Sequence, residues 1–209
     1  MSNIDLAKGN LYVVSAPSGA GKTSLLKALI SQLNTVETSV SHTTRAKRVG
    51  EKEGVDYYFV NVDEFTQLIG DGAFLEHAEV FDNFYGTSKA SIEKQLDNGI
   101  DVILEIDWQG ARQIRQQLPQ SRSIFILPPS KSALRQRLEG RGQDDAKVIE
   151  NRMLAAKNEM SHFNEYDYLV INDDFSTAVD ELKAIIIAER QKIERQQKKY
   201  AYLLSNLLD

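Results

Sequence analysis

At 209 residues, with 42% hydrophobic and 26% charged side chains, the chain is long enough for one domain with a sizeable core and lacks the compositional marks of disorder. A net charge of −5 argues against nucleic acid as a main partner, because a phosphate-contacting face needs a basic balance. The absence of cysteine excludes disulfides, thiolate metal sites and cysteine nucleophiles.

Leu11-Tyr12-Val13-Val14 reads as a short buried strand. A Pro-Ser-Gly cluster interrupts it and Ser24–Ile30 reads as a helix, so the chain opens strand, glycine-rich loop, helix. Residues 36–87 differ. Val40, Tyr57–Val60, Phe74-Leu75 and Val80-Phe81 are short apolar runs between polar turns, the pattern of a small β-rich lobe. Beyond it Ser88–Gln95 is helical, and Ile100–Asp107 is a second buried strand with acids at its far end. Gly110–Gln117 is helical, Ser123–Leu127 is a third strand closed by Pro128-Pro129, and Ser132–Leu138 is helical. Residues 139–157 are polar and highly charged, which suggests a mobile surface segment leading into helix. Tyr168–Ile171 is a fourth strand, and Ser176–Leu208 reads as one long charged helical tail packed through Ala178, Leu182, Ile185, Ile186 and Ala188. Strands alternating with helices predict an α/β fold with a parallel sheet covered on both faces. The three histidines show no metal spacing, and Trp108 reads as packing. No basic region followed by an apolar run opens the chain, and the longest apolar stretch, Ala184–Ala188, is far short of a membrane span. The expectation is a cytoplasmic protein with no membrane partner.

Ala16-Pro17-Ser18-Gly19-Ala20-Gly21-Lys22-Thr23 follows the first strand and opens a helix. It fits G-x-x-x-x-G-K-[ST] with Ala16 in place of the first glycine. Small residues let successive backbone N–H groups curl around phosphate oxygens, and the helix N-terminus adds partial positive charge. Lys22 is placed to reach the β- and γ-phosphates and the Thr23 hydroxyl to ligate magnesium. The loop thus predicts a nucleoside triphosphate with Mg²⁺ and leaves the acceptor open.

Other stretches narrow the acceptor. Ser39–Arg45, Gly54–Phe59, Phe74–Ala78, Tyr85-Gly86-Thr87, Leu104–Gly110, Arg137–Gly142 and Val170–Asp174 stand in the order found in one family. Over roughly residues 9–205 the sequence resembles guanylate kinase, and most closely the bacterial type. That family often has alanine at the position of Ala16. The resemblance implies a P-loop kinase core of parallel sheet that transfers the γ-phosphoryl group of ATP to GMP, and to dGMP, giving ADP and GDP. It implies one domain over 1–209, divided into a core (9–35, 88–138 and 158–209), a GMP-binding lobe (36–87) and a mobile lid (139–157).

The resemblance also assigns roles. Lys22 acts on the transferring group, with Arg141 and Arg152 closing from the lid over its charge. Arg137 is a further candidate for that cluster. Arg45 and Arg48 hold the GMP phosphate, where a planar guanidinium meets two oxygens at once, and Tyr57 and Tyr85 add hydroxyl hydrogen bonds. Glu76 accepts from guanine N1–H and N2–H₂. Ser41 and Thr87 add hydroxyl contacts, and Asp107 faces the base. Asn172 and Asp173 either lie near the adenine edge or cap a turn. Glu105 and Asp107 end a buried strand, where ligands of open parallel sheets gather, and are placed near magnesium or its waters. Some family members have Asp at the position of Glu105.

Three rival readings remain at this level. One is a kinase of the same scaffold acting on AMP, a pyrimidine nucleotide or a phosphorylated sugar. Another is a non-catalytic guanylate kinase-like scaffold, which can lose the loop lysine and phosphate arginines that are all present here. The last is a P-loop ATPase whose acceptor is water. Whether the chain forms a homo-oligomer is left open.

Overall fold

Two sheets divide the work of the fold. The computed structural model describes residues 8–80, 82–140 and 146–208. The larger sheet has five strands, β1 (Leu11–Ser15), β2 (Val36–Thr38), β7 (Asp101–Glu105), β8 (Arg122–Leu127) and β9 (Tyr168–Ile171), in the order β2-β7-β1-β8-β9. All of its pairings are parallel. A central parallel strand is covered on both faces, and β1 is buried at every position. Its side chains alternate. Tyr12 and Val14 join Ile103 of β7 in one core, against α1 (Lys22–Gln32) and α7 (Phe175–Arg190). Leu11 and Val13 join Val102 and Leu104 in a second core, against α3 (Lys89–Asp97) and α4 (Trp108–Gln117).

The smaller sheet holds β3 (His42–Thr43), β4 (Tyr58–Phe59), β5 (Phe74–Val80) and β6 (Asn83–Ser88) in the order β4-β3-β6-β5, with α2 (Val62–Gly70) beside it. Phe65 of α2 is buried and stacks on Phe74 and Phe84. The edge strand β5 is covered rather than open. Gln113 of α4 exchanges hydrogen bonds with His77 N–H (3.1 Å) and C=O (2.7 Å), and Gln117 donates to Leu75 C=O at 3.0 Å. A register shift between Phe74 and Glu76 lets two adjacent residues be buried in different places. Leu75 enters the second core, whereas Glu76, Ala78 and Val80 line a cleft between the sheets.

The structure departs from the sequence expectation in three places. Residue 36 does not begin the small lobe, because Val36–Thr38 pairs with β7 as an edge of the large sheet. The small lobe contains a helix, α2, closed by a capping box of Asn61 and Glu64. The tail is three helices, α7, α8 (Ile193–Lys199) and α9 (Ala201–Leu208). Its first break has a tertiary cause. Arg190 before it and Arg195 after it each donate to the fully buried Asp101 carboxylate at 2.7 Å, which a straight helix could not arrange. Between β8 and β9 lie α5 (Lys131–Glu139) and α6 (Ala146–Met160), packed together through Leu134, Leu138, Ile149 and Ala156.

Candidate active site

The phosphate loop leaves β1 at the carboxyl edge of the sheet. Gly21 caps α1 at φ 94° and Gly19 sits at φ 91°, conformations that side chains with a Cβ rarely adopt. The loop is held from outside at several points. Asn172 Nδ2 donates to Ala20 C=O at 2.7 Å, and Arg137 donates to Ala20 C=O and to Asn172 C=O. A Cβ on Gly19 would meet Leu138 at 2.8 Å, so the loop rests directly on α5. Glu159 of α6 accepts from Ser18 N–H at 3.0 Å.

Inside the loop the Lys22 ammonium and the Thr23 hydroxyl are already engaged. Thr23 Oγ1 donates to Glu105 Oε1, and Lys22 Nζ lies 3.6 Å from the same oxygen. Glu105 ends β7, the strand beside β1, so parallel pairing alone brings it to the loop. Thr23 and Glu105 offer hard oxygen donors, as a magnesium ion requires. Among the described residues no group of three or more His, Cys, Asp or Glu could hold a metal. A cation brought in with a nucleotide would therefore take most of its ligands from phosphate and water.

Across a cleft of about 300 Å³ stands the second half of the site. Glu76 is 3% exposed, and Thr87 Oγ1 donates to its Oε1 at 2.6 Å. Ser41 Oγ lies 3.5 Å from that hydroxyl. Among the described residues Glu76 has no cationic partner. Burial pushes its carboxyl up to about 7 against the pull of the Thr87 hydrogen bond, with Asp107 adding to the rise. Gly110 in the first turn of α4 makes room for it, since a Cβ there would lie 2.5 Å from Glu76 Oε2. Asp107 caps the same helix by accepting Gly110 N–H at 3.0 Å. Tyr57 and Tyr85 pack edge to face with centroids 6.0 Å apart, and burial first, then the Glu105 charge, pushes the Tyr57 hydroxyl up to about 12. It is a neutral donor at physiological pH.

Of the residues expected from sequence, the cleft gathers Ala16, Pro17, Ser18, Gly19, Gly21, Lys22 and Thr23 on one wall and Ser41, Tyr57, Glu76, Tyr85 and Asp107 on the other. Ala20 and Thr87 are buried directly behind these walls. Arg45 and Arg48 do not line the cleft. Arg45 is paired with Glu51 at 2.6 Å and lies over the Tyr57 ring, and Arg48 is exposed. Asn172 stands behind the loop and Asp173 is exposed. Arg152 is half-buried on α6, and Arg141 lies outside the described residues. Trp108 packs, stacking on His162 at 3.9 Å.

This two-walled arrangement has relatives. The guanylate kinase family model matches residues 8–189. The chain belongs to the guanylate kinase family. It is 60% identical over 205 residues to a guanylate kinase of Salmonella paratyphi A, covering 97% of this chain and 99% of that one. It is 58% identical to the guanylate kinase of Escherichia coli K12 with the same coverage. A guanylate kinase from Anaplasma phagocytophilum, known from a crystal structure, superposes with a TM-score of 0.75 at 40% identity, covering 90% of both chains. Within this guanylate kinase framework two contributors escaped the sequence reading. Glu159 is one acid in a charged stretch, 141 positions from its partner. Gly110 shows its purpose only when Glu76 is seen above it. Arg137, a further candidate for the lid cations, braces the loop backbone.

Proposed function

We propose that this guanylate kinase family member transfers the γ-phosphoryl group of ATP to GMP, giving ADP and GDP. The observation that carries the reading is the single cleft whose walls are a phosphate loop and a buried carboxylate flanked by hydroxyls. Guanine offers donors at N1 and N2, and Glu76 offers two acceptors. Thr87 and Ser41 supply hydroxyls that donate or accept at the base edge. Tyr57 and Tyr85 are placed for the acceptor phosphate, and Arg45 and Arg48 join them once Arg45 exchanges Glu51 for that phosphate.

On the donor wall, N–H groups at the helix end of the loop, residues 21–23, receive phosphate oxygens, and Lys22 leaves Glu105 for the β- and γ-phosphates. Mg²⁺, when bound with ATP near Thr23 and Glu105, neutralises phosphate charge. Lys22, Arg141 and Arg152 spread the charge of the transferring group. Such a transfer needs positioning and charge neutralisation more than a general base. In this reading the small sheet is the GMP lobe and residues 139–157, with the greater part of α6, are the lid, both closing to shield the phosphoryl group from water. No helix among the described residues is long and apolar enough to cross a membrane, in keeping with small soluble substrates.

Coupled ADP release with ATP, Mg²⁺ and each nucleoside monophosphate in turn tests the assignment. GMP, and dGMP with it, should turn over, while AMP falls behind by about four orders of magnitude in kcat/KM. Equal use of AMP and GMP would overturn it.

A further inference from the structure

Glu159 is a half-buried carboxylate for which the transfer mechanism above has no use. It sits on the last full turn of α6, lines the cleft, and faces both Lys22 and Asp107. Among the described residues its carboxylate accepts from a backbone amide of the phosphate loop, Ser18 N–H at 3.0 Å. Seven residues earlier, at mid-helix, the same helix carries Arg152. Seven residues make two turns, so the two side chains share a strip of α6 about 10 Å apart. That strip flanks the face through which Ile149 and Ala156 pack on α5. The helix that bears an expected transfer arginine at its middle is thus hydrogen-bonded to the phosphate loop near its C-terminal end.

The remaining braces of the loop act elsewhere. Asn172 and Arg137 hold the carbonyl of Ala20, close to the helix end of the loop. Near its strand end, where Ala16 and Pro17 leave β1, the side-chain hold on a loop amide comes from α6. An N–H without an acceptor can turn, and in a phosphate loop the direction of each N–H is the binding site. A carboxylate also makes the stronger, charge-assisted kind of hydrogen bond.

The geometry points to Glu159 as a positioning residue for the donor nucleotide: its bond to Ser18 N–H fixes the strand end of the phosphate loop to the C-terminal end of α6, so that loop shape and helix position are set together. This inference rests on the loop being the ATP site. It does not depend on the identity of the acceptor.

The test is calorimetric titration of ADP, ATP and AMP into E159A, E159Q and E159D, with steady-state kinetics and melting temperatures alongside. E159A removes the acceptor and should weaken ADP and ATP by about tenfold or more, the size expected for a hydrogen bond to a charged group. KM for ATP should rise with it, and KM for GMP should stay within about twofold. E159Q keeps a carbonyl oxygen at the same reach and should restore ADP affinity to within about threefold of wild type. E159D keeps the charge but retracts it by one methylene, and should bind ADP as weakly as E159A. AMP brings no β-phosphate to the loop and should bind all variants alike. Wild-type ADP affinity in E159A would overturn the inference, and so would a loss in E159Q equal to that in E159A. Equal losses for AMP and ADP together with a lowered melting temperature would reduce Glu159 to a fold-stabilising residue and likewise end the claim. Absence of GMP turnover in wild type with ADP results as expected would fault the acceptor assignment alone.

Discussion

The two walls of the cleft solve opposite electrostatic problems. On the loop wall the polar groups are partnered before any ligand arrives: Lys22 and Thr23 meet Glu105, and Glu159 meets Ser18 N–H. On the acceptor wall Glu76 is buried without a cationic partner among the described residues, and its carboxyl is pushed up to about 7. The loop wall is therefore prepared to exchange one set of polar partners for another. The acceptor wall is an unmet demand, a carboxylate that becomes comfortable only when donors arrive. Tight binding of a highly charged triphosphate suits the first design. Discrimination of one base from another suits the second, because the wrong base leaves a buried acceptor unpaired.

Three substitutions or conditions would break or sharpen this contrast, taken from the largest expected effect. Lys22→Met removes the cation of the loop wall. Turnover should fall by about a thousandfold, at the upper end for loss of one transition-state donor, with the melting temperature nearly unchanged. Near-normal kcat in a stopped-assay time course would remove Lys22 from the mechanism. Glu76→Gln replaces an acceptor oxygen with an NH₂ that confronts a guanine donor. kcat/KM for GMP should fall about a hundredfold, while KM for ATP moves less than about twofold. If both substrates lose equally, the two walls are not independent.

The smallest effect is the one with pH. A glutamate in an unfolded chain titrates near 4.3. In the ligand-free fold Glu76 stands at about 7, so the protonated fold is favoured below the unfolded value and that advantage is lost as pH rises from there through about 7. At pH 8 the ligand-free E76Q protein should therefore melt about 3 °C or more above wild type, and the gap should close towards pH 5. On the proposed guanine contact GMP should reverse the sign, because N1–H and N2–H₂ would favour the carboxylate. KM for GMP in wild type should rise as pH falls below about 7, by at most tenfold per pH unit. The GMP phosphate titrates near 6 and contributes its own slope. The E76Q profile reports that shared slope, and only the difference between the two profiles belongs to Glu76. Identical profiles would mean that Glu76 is already ionised in the free protein.

What could be read from the sequence follows from how local each feature is. The loop, its strand and its helix are contiguous, and a spacing rule derives from backbone geometry, so Ala16–Thr23 was legible at once. Glu76, Ser41 and Thr87 are legible only by resemblance, because they come from three stretches, before β3, on β5 and on β6, whose pairing in one sheet no single stretch announces. β2 was missed as a core strand because Val36-Glu37-Thr38 is short, half polar and on an edge. The tail was read as one helix because its composition stays helical throughout, whereas the break is imposed by Asp101, nearly ninety positions away. Glu159 was invisible for the same reason. A lone acid on a charged helix carries no mark of the amide it will meet.

The strand order β2-β7-β1-β8-β9 has a consequence for the order of events in folding. The phosphate loop leaves the ribosome before the neighbours of its strand, with Leu11 opposite Val102 and Tyr12 opposite Arg122. Its braces come later still, from positions 137, 159 and 172. Contacts so distant in sequence form only after the entropy of closing long loops has been met, and they slow the search for the native topology. The most recognisable motif in the chain is thus made well before the parts that give it its shape.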